Sequence, residues 1–302
     1  MRHLLSAGDL TRDDVLHLFR VSAELKQRLK GGRHSTALAG RTLALIFEKP
    51  SLRTRVTFEV GIIQLGGRGV YLSSSEIGMG SRESVPDVAR NLSRWVDGIV
   101  ARVYAHATVE GLARHASVPV INGLSDFEHP CQAVADFFTL WERGVDLEAM
   151  RFAWIGDGNN VCHSLMLLGA LFGCTLVIAC PEGHDPDPRV ERRARELGGT
   201  VVITRDPMEA AQGADVLYTD VWISMGQEAE REERLETFSR YQLSEPLVAA
   251  ARPSALVMHC LPAHRGEEIT EEVIEGPQSA VFDEAENRMH VQIALLAKLI
   301  PH

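Results

Sequence analysis

The sequence predicts an α/β protein of two doubly wound domains, each a mostly parallel sheet flanked by helices. Three observations lead there. Short apolar runs alternate with stretches of helical periodicity, which favours parallel strands covered on both faces. The alternation occurs twice, before and after a turn-forming break at 144–150. And 302 residues are enough for two domains of ordinary size.

In the first half, residues 9–30 read as a helix. Asp9 is placed to cap it, Val15, Leu18, Phe19, Leu25 and Leu29 form the apolar stripe, and Gly31-Gly32 ends it. A buried strand at 42–47 runs into Phe47-Glu-Lys-Pro-Ser51-Leu-Arg53-Thr54-Arg55, and Val56, Val60 and Ile63 then mark one face of a helix. A helix start leaves N–H groups unpaired and carries partial positive charge. With Ser51, Thr54 and the guanidiniums of Arg53 and Arg55 beside it, the stretch forms a socket for a phosphate dianion. A plain N-cap is the alternative for Ser51. The stretch lacks Gly-x-x-x-x-Gly-Lys, so ATP is not implied.

A strand at 69–72 leads to the polar loop 73–84, a length more often functional than idle. A helix with Val85, Val88, Leu92 and Trp95 on one face precedes a strand at 98–103. That strand brings Arg102 to the end where α/β proteins bind ligands. After a strand at 118–121 comes Phe127-Glu-His129-Pro130-Cys131-Gln132. Pro130 suits the first turn of a helix over 131–143, so His129 and Gln132 lie at its donor end.

The second half predicts strands at 151–155, 175–179, 200–203, 215–218 and 255–259. Gly156-Asp-Gly158-Asn159-Asn160-Val161 superficially suggests a dinucleotide turn. The third glycine of the fingerprint is replaced by Val161, which argues against an NAD-dependent dehydrogenase. Asp220 emerges at a strand end, in a position suited to a cationic amine, ahead of Trp222-Ile-Ser224-Met225-Gly226. The run 230–236 reads as a solvated charged helix. The last strand delivers His259-Cys260-Leu261-Pro262-Ala-His264. Cys260 is a candidate nucleophile or ligand, with an inert buried thiol as the commoner case. The histidines nearby lack a convincing fourth ligand, so no metal is expected. A closing helix carries Arg288 beside an apolar stripe of Met289, Ile293 and Leu296. If it crosses to the first domain, Arg288 reaches the phosphate socket.

Composition sets the limits. Hydrophobic residues make up 45% and charged residues 24%, typical of a soluble globular chain. A net charge of −10 argues against nucleic acid as the main partner. It also means that a local basic cluster must hold any anionic substrate. No apolar run is long enough to span a membrane. The opening residues show no signal-peptide pattern, and Asp9, Asp13 and Asp14 argue against an organelle transit peptide. The five cysteines form no CxxC pair, which points to reduced thiols and a cytoplasmic setting.

Five stretches then carry a resemblance. They are Phe47-Glu-Lys-Pro-Ser-Leu-Arg-Thr-Arg55, His129-Pro-Cys-Gln132, Asp220-Val-Trp-Ile-Ser-Met-Gly226, His259-Cys-Leu-Pro-Ala-His-Arg-Gly266 and Asp283-Glu-Ala-Glu-Asn-Arg288. In this order the chain resembles the aspartate/ornithine carbamoyltransferase superfamily over nearly its whole length, on the ornithine side. The resemblance implies that residues 1–143, with 285–302 packed back on them, bind carbamoyl phosphate, and that 144–284 bind L-ornithine. Two interdomain helices, about 131–143 and 285–300, would join the domains around a cleft. It implies transfer of the carbamoyl group to ornithine, giving citrulline and phosphate in arginine biosynthesis, with no cofactor. It also implies a homotrimer or an assembly of trimers, with the 73–84 loop reaching a neighbour's site.

Residue by residue, the resemblance assigns Ser51, Leu52, Arg53 and Thr54 to the phosphate, with Arg102 bridging phosphate and carbonyl. His129 and Gln132 would hold the carbamoyl group, Arg288 would complete that site, and Cys260 and the Leu261 carbonyl would flank the reacting centre. Asn160, Asp220, Ser224 and Met225 would hold ornithine. The catalytic groups so implied are Arg102, His129, Asp220 and Cys260, and the Leu261–Pro262 bond is expected to be cis. Two positions depart from the family pattern. Leu52 stands where Thr is common, and Glu76 stands where Gln is usual; a carboxylate near phosphate repels it unless protonated or paired with Arg82, so Glu76 is not assigned. The rival readings are a carbamoyltransferase for acetylornithine, putrescine or aspartate, and a non-catalytic binding subunit.

Overall fold

Parallel strands build two separate sheets in the computed structural model, which describes residues 2–223 and 228–301. The chain divides into two units, one formed by residues up to 135 with those from 287 onward, the other by 136–286.

The first unit contains α1 (Arg12–Lys30), β1 (Thr42–Phe47), α2 (Leu52–Gln64), β2 (Arg68–Ser73), α3 (Ser74–Ile77), α4 (Val85–Leu92), β3 (Gly98–Arg102), α5 (His106–His115) and β4 (Val120–Leu124). Its sheet has the order β2-β1-β3-β4. β1 and β3 are buried along nearly their whole length because helices cover both faces, which is why they read as unbroken apolar runs. One face packs Ala44, Ile46, Ile99 and Ala101 against Val88, Leu92, Val109 and Leu112 from α4 and α5.

Helix α6 (Pro130–Glu142) contains the first division between units. The second unit holds β5 (Arg151–Ile155), α7 (Asn160–Phe172), β6 (Thr175–Ala179), α8 (Pro188–Glu196), β7 (Thr200–Thr204), α9 (Pro207–Ala211), β8 (Val216–Thr219), α10 (Arg231–Phe238), α11 (Glu245–Ala250), β9 (Leu256–His259) and α12 (Glu271–Ile274). Its sheet has the order β7-β6-β5-β8-β9, again parallel throughout. Helix α13 (Val281–Leu299) contains the second division.

In each sheet the strand order reverses once, between β1 and β3 in the first unit and between β5 and β8 in the second. Loops leaving adjacent strands at such a reversal part to opposite faces and open a crevice at the carboxyl ends. Phe47 pairs with Arg102 at the first of these points, and Trp154 with Tyr218 near the second.

Three details differ from the sequence reading. The first helix starts at Arg12, where Thr11 and Asp14 form a capping box; Ser6 and Asp9 cap a separate turn, Ala7–Asp9. In α2, Phe58 and Ile62 face inward, whereas Val56 is 43% and Ile63 64% exposed. Trp95 lies beyond the end of α4 and is 70% exposed. Periodicity identified an apolar stripe on α2 without identifying what covers it.

Candidate active site

At the reversal in the first sheet, Ser51 leaves the turn in extended conformation and caps α2, its hydroxyl accepting from the Thr54 N–H at 3.2 Å. Leu52 is the first helical residue, so its N–H is one of the donors without an intrahelical acceptor, and its side chain is exposed. The wholly buried Thr54 hydroxyl accepts from Arg102 Nη1 at 3.4 Å and from Arg288 Nη2 at 2.8 Å. One hydroxyl thus gathers guanidiniums from the end of β3 and from α13.

His129 is buried just before α6, and Gln132 is fully buried in the first turn of that helix. Burial first, then the charges of Arg288, Arg102 and Arg53, push the His129 imidazole well below its ordinary pKa. His129 is therefore neutral at pH 7, with one N–H to donate. Three guanidiniums close enough to depress it together form a concentration of positive charge that an anion would relieve. Arg55 is not part of this cluster: its guanidinium lies 3.7 Å from the Tyr71 ring centroid and pairs with Glu59. Glu76 is exposed and accepts from the Ser73 N–H and hydroxyl at 2.9 and 2.7 Å.

The second reversal carries opposite chemistry. Asp220 follows β8 and is nearly buried. Its Oδ2 accepts from Asn159 Nδ2 at 2.8 Å, and its Oδ1 accepts from the Val221 N–H at 2.8 Å and from the Cys260 thiol at 2.9 Å. Asn159 also caps α7, accepting from the N–H groups of Val161 and Cys162; Asn160 is the first residue of that helix. Burial and the neighbouring Asp220 carboxylate raise the Cys260 pKa well above the thiol range. Cys260 is consequently a protonated donor, unsuited to act as a thiolate nucleophile.

Leu261 follows with φ of 55°, in the left-handed region that side chains with a β-carbon rarely adopt. Its N–H donates to His259 Nδ1 at 2.9 Å, and the Leu261–Pro262 peptide is cis. Asp220, His259 and Cys260 lie close enough to suggest a metal site. However, His259 Nδ1 is occupied by that N–H, and its Nε2 faces Glu268 Oε1 at 3.0 Å. With both ring nitrogens committed, His259 is not an available ligand. Ser224 and Met225 lie outside the described residues.

The glycine turn after β5 is packed against its own chain. A β-carbon on Gly158 would lie 2.2 Å from the Pro186 nitrogen, and the Gly158 N–H donates to His184 O at 2.9 Å. The 184–186 backbone therefore packs directly on the turn, which only glycine permits at position 158.

The sequence places the amides of Asn159 and Asn160 at the strand-end crevice; the partner of Asn159 and the burial of Arg234 come from the structure. Asn159 is the amide that holds Asp220, and its position ahead of an apolar helix is an N-cap signal. Arg234, placed in a run read as solvated, is buried. It donates to the Trp222 carbonyl at 2.6 Å and pairs with Asp157. The signal was Phe238 four residues on, whose ring lies 5.1 Å from the guanidinium.

Residues 2–142 match the family described as "Aspartate/ornithine carbamoyltransferase, carbamoyl-P binding domain", and residues 148–299 match its "Asp/Orn binding domain". An ornithine carbamoyltransferase of Thermococcus kodakarensis is 51% identical over 300 residues, covering 98% of this chain and 95% of the relative. An anabolic ornithine carbamoyltransferase of Pyrococcus furiosus is 50% identical, covering 98% and 95%. The solved structure of ornithine carbamoyltransferase from Pyrococcus furiosus superposes with a TM-score of 0.96 at 49% identity, covering 99% of this chain and 97% of the other.

Proposed function

The chain belongs to the aspartate/ornithine carbamoyltransferase family, and from that premise we propose how its residues divide the work of transferring the carbamoyl group of carbamoyl phosphate to L-ornithine. The first unit takes carbamoyl phosphate. Ser51, the Leu52 N–H, Arg53, Thr54, Arg102 and Arg288 hold the phosphate, while Arg102, His129 and Gln132 hold the carbamoyl oxygen and amide. The second unit takes ornithine through Asn160, Asp220, Ser224 and Met225, with Cys260 and the Leu261 carbonyl flanking the reacting carbon.

In the chemical step the neutral side-chain amine of ornithine attacks the carbamoyl carbon. An N–C bond forms, and Arg102 and His129 donate to the tetrahedral oxyanion, where preorganised donors are worth most. The C–O bond to phosphate then breaks. The amine proton leaves with the phosphate, and citrulline and hydrogen phosphate result without a dedicated base. Substrate amine carries a lysine-like pKa of about 10.4, so only a small fraction is reactive at neutral pH.

The observation that best supports this reading is the buried Thr54 hydroxyl held between Arg102 and Arg288 beside a neutral His129. The test is citrulline formation with L-ornithine, acetylornithine, putrescine and aspartate offered as acceptors in turn. Turnover with ornithine, lost in Arg53→Ala, supports the assignment; near-normal citrulline formation by Arg53→Ala contradicts it.

A homotrimer, alone or in an assembly of trimers, fits the apolar surface that Val56, Ile63, Val70 and Trp95 expose on a single chain. Light scattering should then give a multiple of three times the 33.3 kDa chain. Five unbridged cysteines fit a cytoplasmic setting. Among the described residues no helix is long and apolar enough to cross a membrane.

A further inference from the structure

Beneath the acceptor residues lies a buried acid cluster that the reaction scheme leaves unused. Asp136 from α6 and Glu284 from α13 are both inaccessible to solvent. The Tyr218 hydroxyl, from β8, lies 3.1 Å from Asp136 Oδ2 and 3.1 Å from Glu284 Oε1. The other Glu284 oxygen, Oε2, accepts from the His259 N–H at 3.0 Å. Two carboxyl groups in mutual hydrogen-bond contact away from water cannot both be ionised at low cost, so the pair retains a proton. Burial first, then Asp136, accordingly pushes Glu284 well above the carboxylate range.

The contact with His259 gives this cluster a consequence. His259 is the last residue of β9, and the next residue is Cys260, whose thiol donates to Asp220. The His259 ring in turn holds the Leu261 N–H. A displaced His259 N–H would therefore move both Cys260 and Leu261. We propose that Glu284 is a positioning residue for the acceptor site: by accepting the His259 N–H it fixes where β9 ends, and so aligns Cys260 on Asp220. This inference rests on the reading of Asp220 and Cys260 as groups that serve ornithine.

Three substitutions separate positioning from simple stability. Glu284→Gln keeps the length, an oxygen for the His259 N–H and an amide hydrogen for Asp136. Glu284→Asp keeps the acid but withdraws it by one methylene. Glu284→Leu removes the polar group. In the aspartate and leucine variants the KM for ornithine should rise about tenfold, the scale of one lost buried hydrogen bond. The KM for carbamoyl phosphate should stay within about twofold, and Glu284→Gln should match wild type within about twofold in both, each well below that scale.

Alkylation of Cys260 by iodoacetamide, read by peptide mass mapping, gives a second readout that does not depend on turnover. It should be faster in the aspartate and leucine variants than in wild type or Glu284→Gln. Should Glu284→Leu fail to fold, Glu284→Asp and Glu284→Gln still decide the question. An unchanged ornithine KM in Glu284→Asp, a glutamine variant as defective as the aspartate one, or a parallel rise in both KM values would overturn the proposal. If the wild-type chain made no citrulline from ornithine, the functional reading would fail, and an unchanged Cys260 alkylation rate in Glu284→Asp would then overturn the positioning claim by itself.

Discussion

The two units use one architecture for opposite charges. Each presents a strand-order reversal, a turn and a capped helix start: Ser51 before α2 in the first, Asn159 before α7 in the second. In the first unit the side chains at that point are Arg102, Arg288 and a neutral His129. In the second they are Asp220, Cys260 and, behind them, Asp136, Tyr218 and Glu284. Burial makes both sets matter, because charge in a poorly solvated site acts more strongly than at a surface. The fold therefore supplies a crevice, and a few ionisable side chains decide the sign of the charge it presents.

That contrast can be broken most strongly on the basic side. Arg102→Leu removes the guanidinium proposed to donate to both phosphate and developing oxyanion. Loss of one such donor typically costs about 10²–10³-fold in kcat, and steady-state citrulline assays should show a fall of at least that size. Asp220→Asn should have the next largest effect, on the other substrate. Removing one partner of a buried, charge-assisted hydrogen bond costs about 2–3 kcal/mol, so the KM for ornithine should rise about 30- to 150-fold with little change for carbamoyl phosphate. Cys260→Ser keeps a donor to Asp220 but changes its length and strength, and kcat/KM for ornithine should fall less than about tenfold.

The smallest effect expected is a pH dependence that is missing. His129 in the native protein has its pKa below the unfolded value of about 6.5, so the unfolded chain binds more protons between those two values. Its contribution to stability is fully present above pH 6.5 and is lost as pH falls toward the native pKa. Thermal unfolding should therefore shift downward below that pH. In the rate profile His129 should add no limb between pH 6.5 and 8, while kcat/KM for ornithine rises as the substrate amine deprotonates. A limb centred near 6.5 that disappears in His129→Gln would contradict a neutral His129.

The basic half was easier to read from sequence than the acidic half, for a physical reason. Buried parallel strands such as β1 and β3 leave apolar runs, and the socket residues Ser51 to Thr54 are adjacent in sequence. Arg102 and Arg288 join them from afar, but each stands at a recognisable strand end or helix motif. The Asp136–Tyr218–Glu284 cluster has no local signature, since Tyr218 lies 82 residues from Asp136 and 66 from Glu284. Arg234 was hidden because a charge run looks solvated until packing turns one member inward. The apolar stripe read on α2 differs from the face that packs because periodicity cannot tell a buried apolar stripe from an exposed one.

The separation of charges is tested most directly by calorimetric titration of carbamoyl phosphate, without ornithine, into wild-type protein, Arg102→Leu and Asp220→Asn. The account predicts that Arg102→Leu weakens binding by at least about a hundredfold, while Asp220→Asn stays within about twofold of wild type. Equal weakening in the two variants, or unchanged binding in Arg102→Leu, would contradict it.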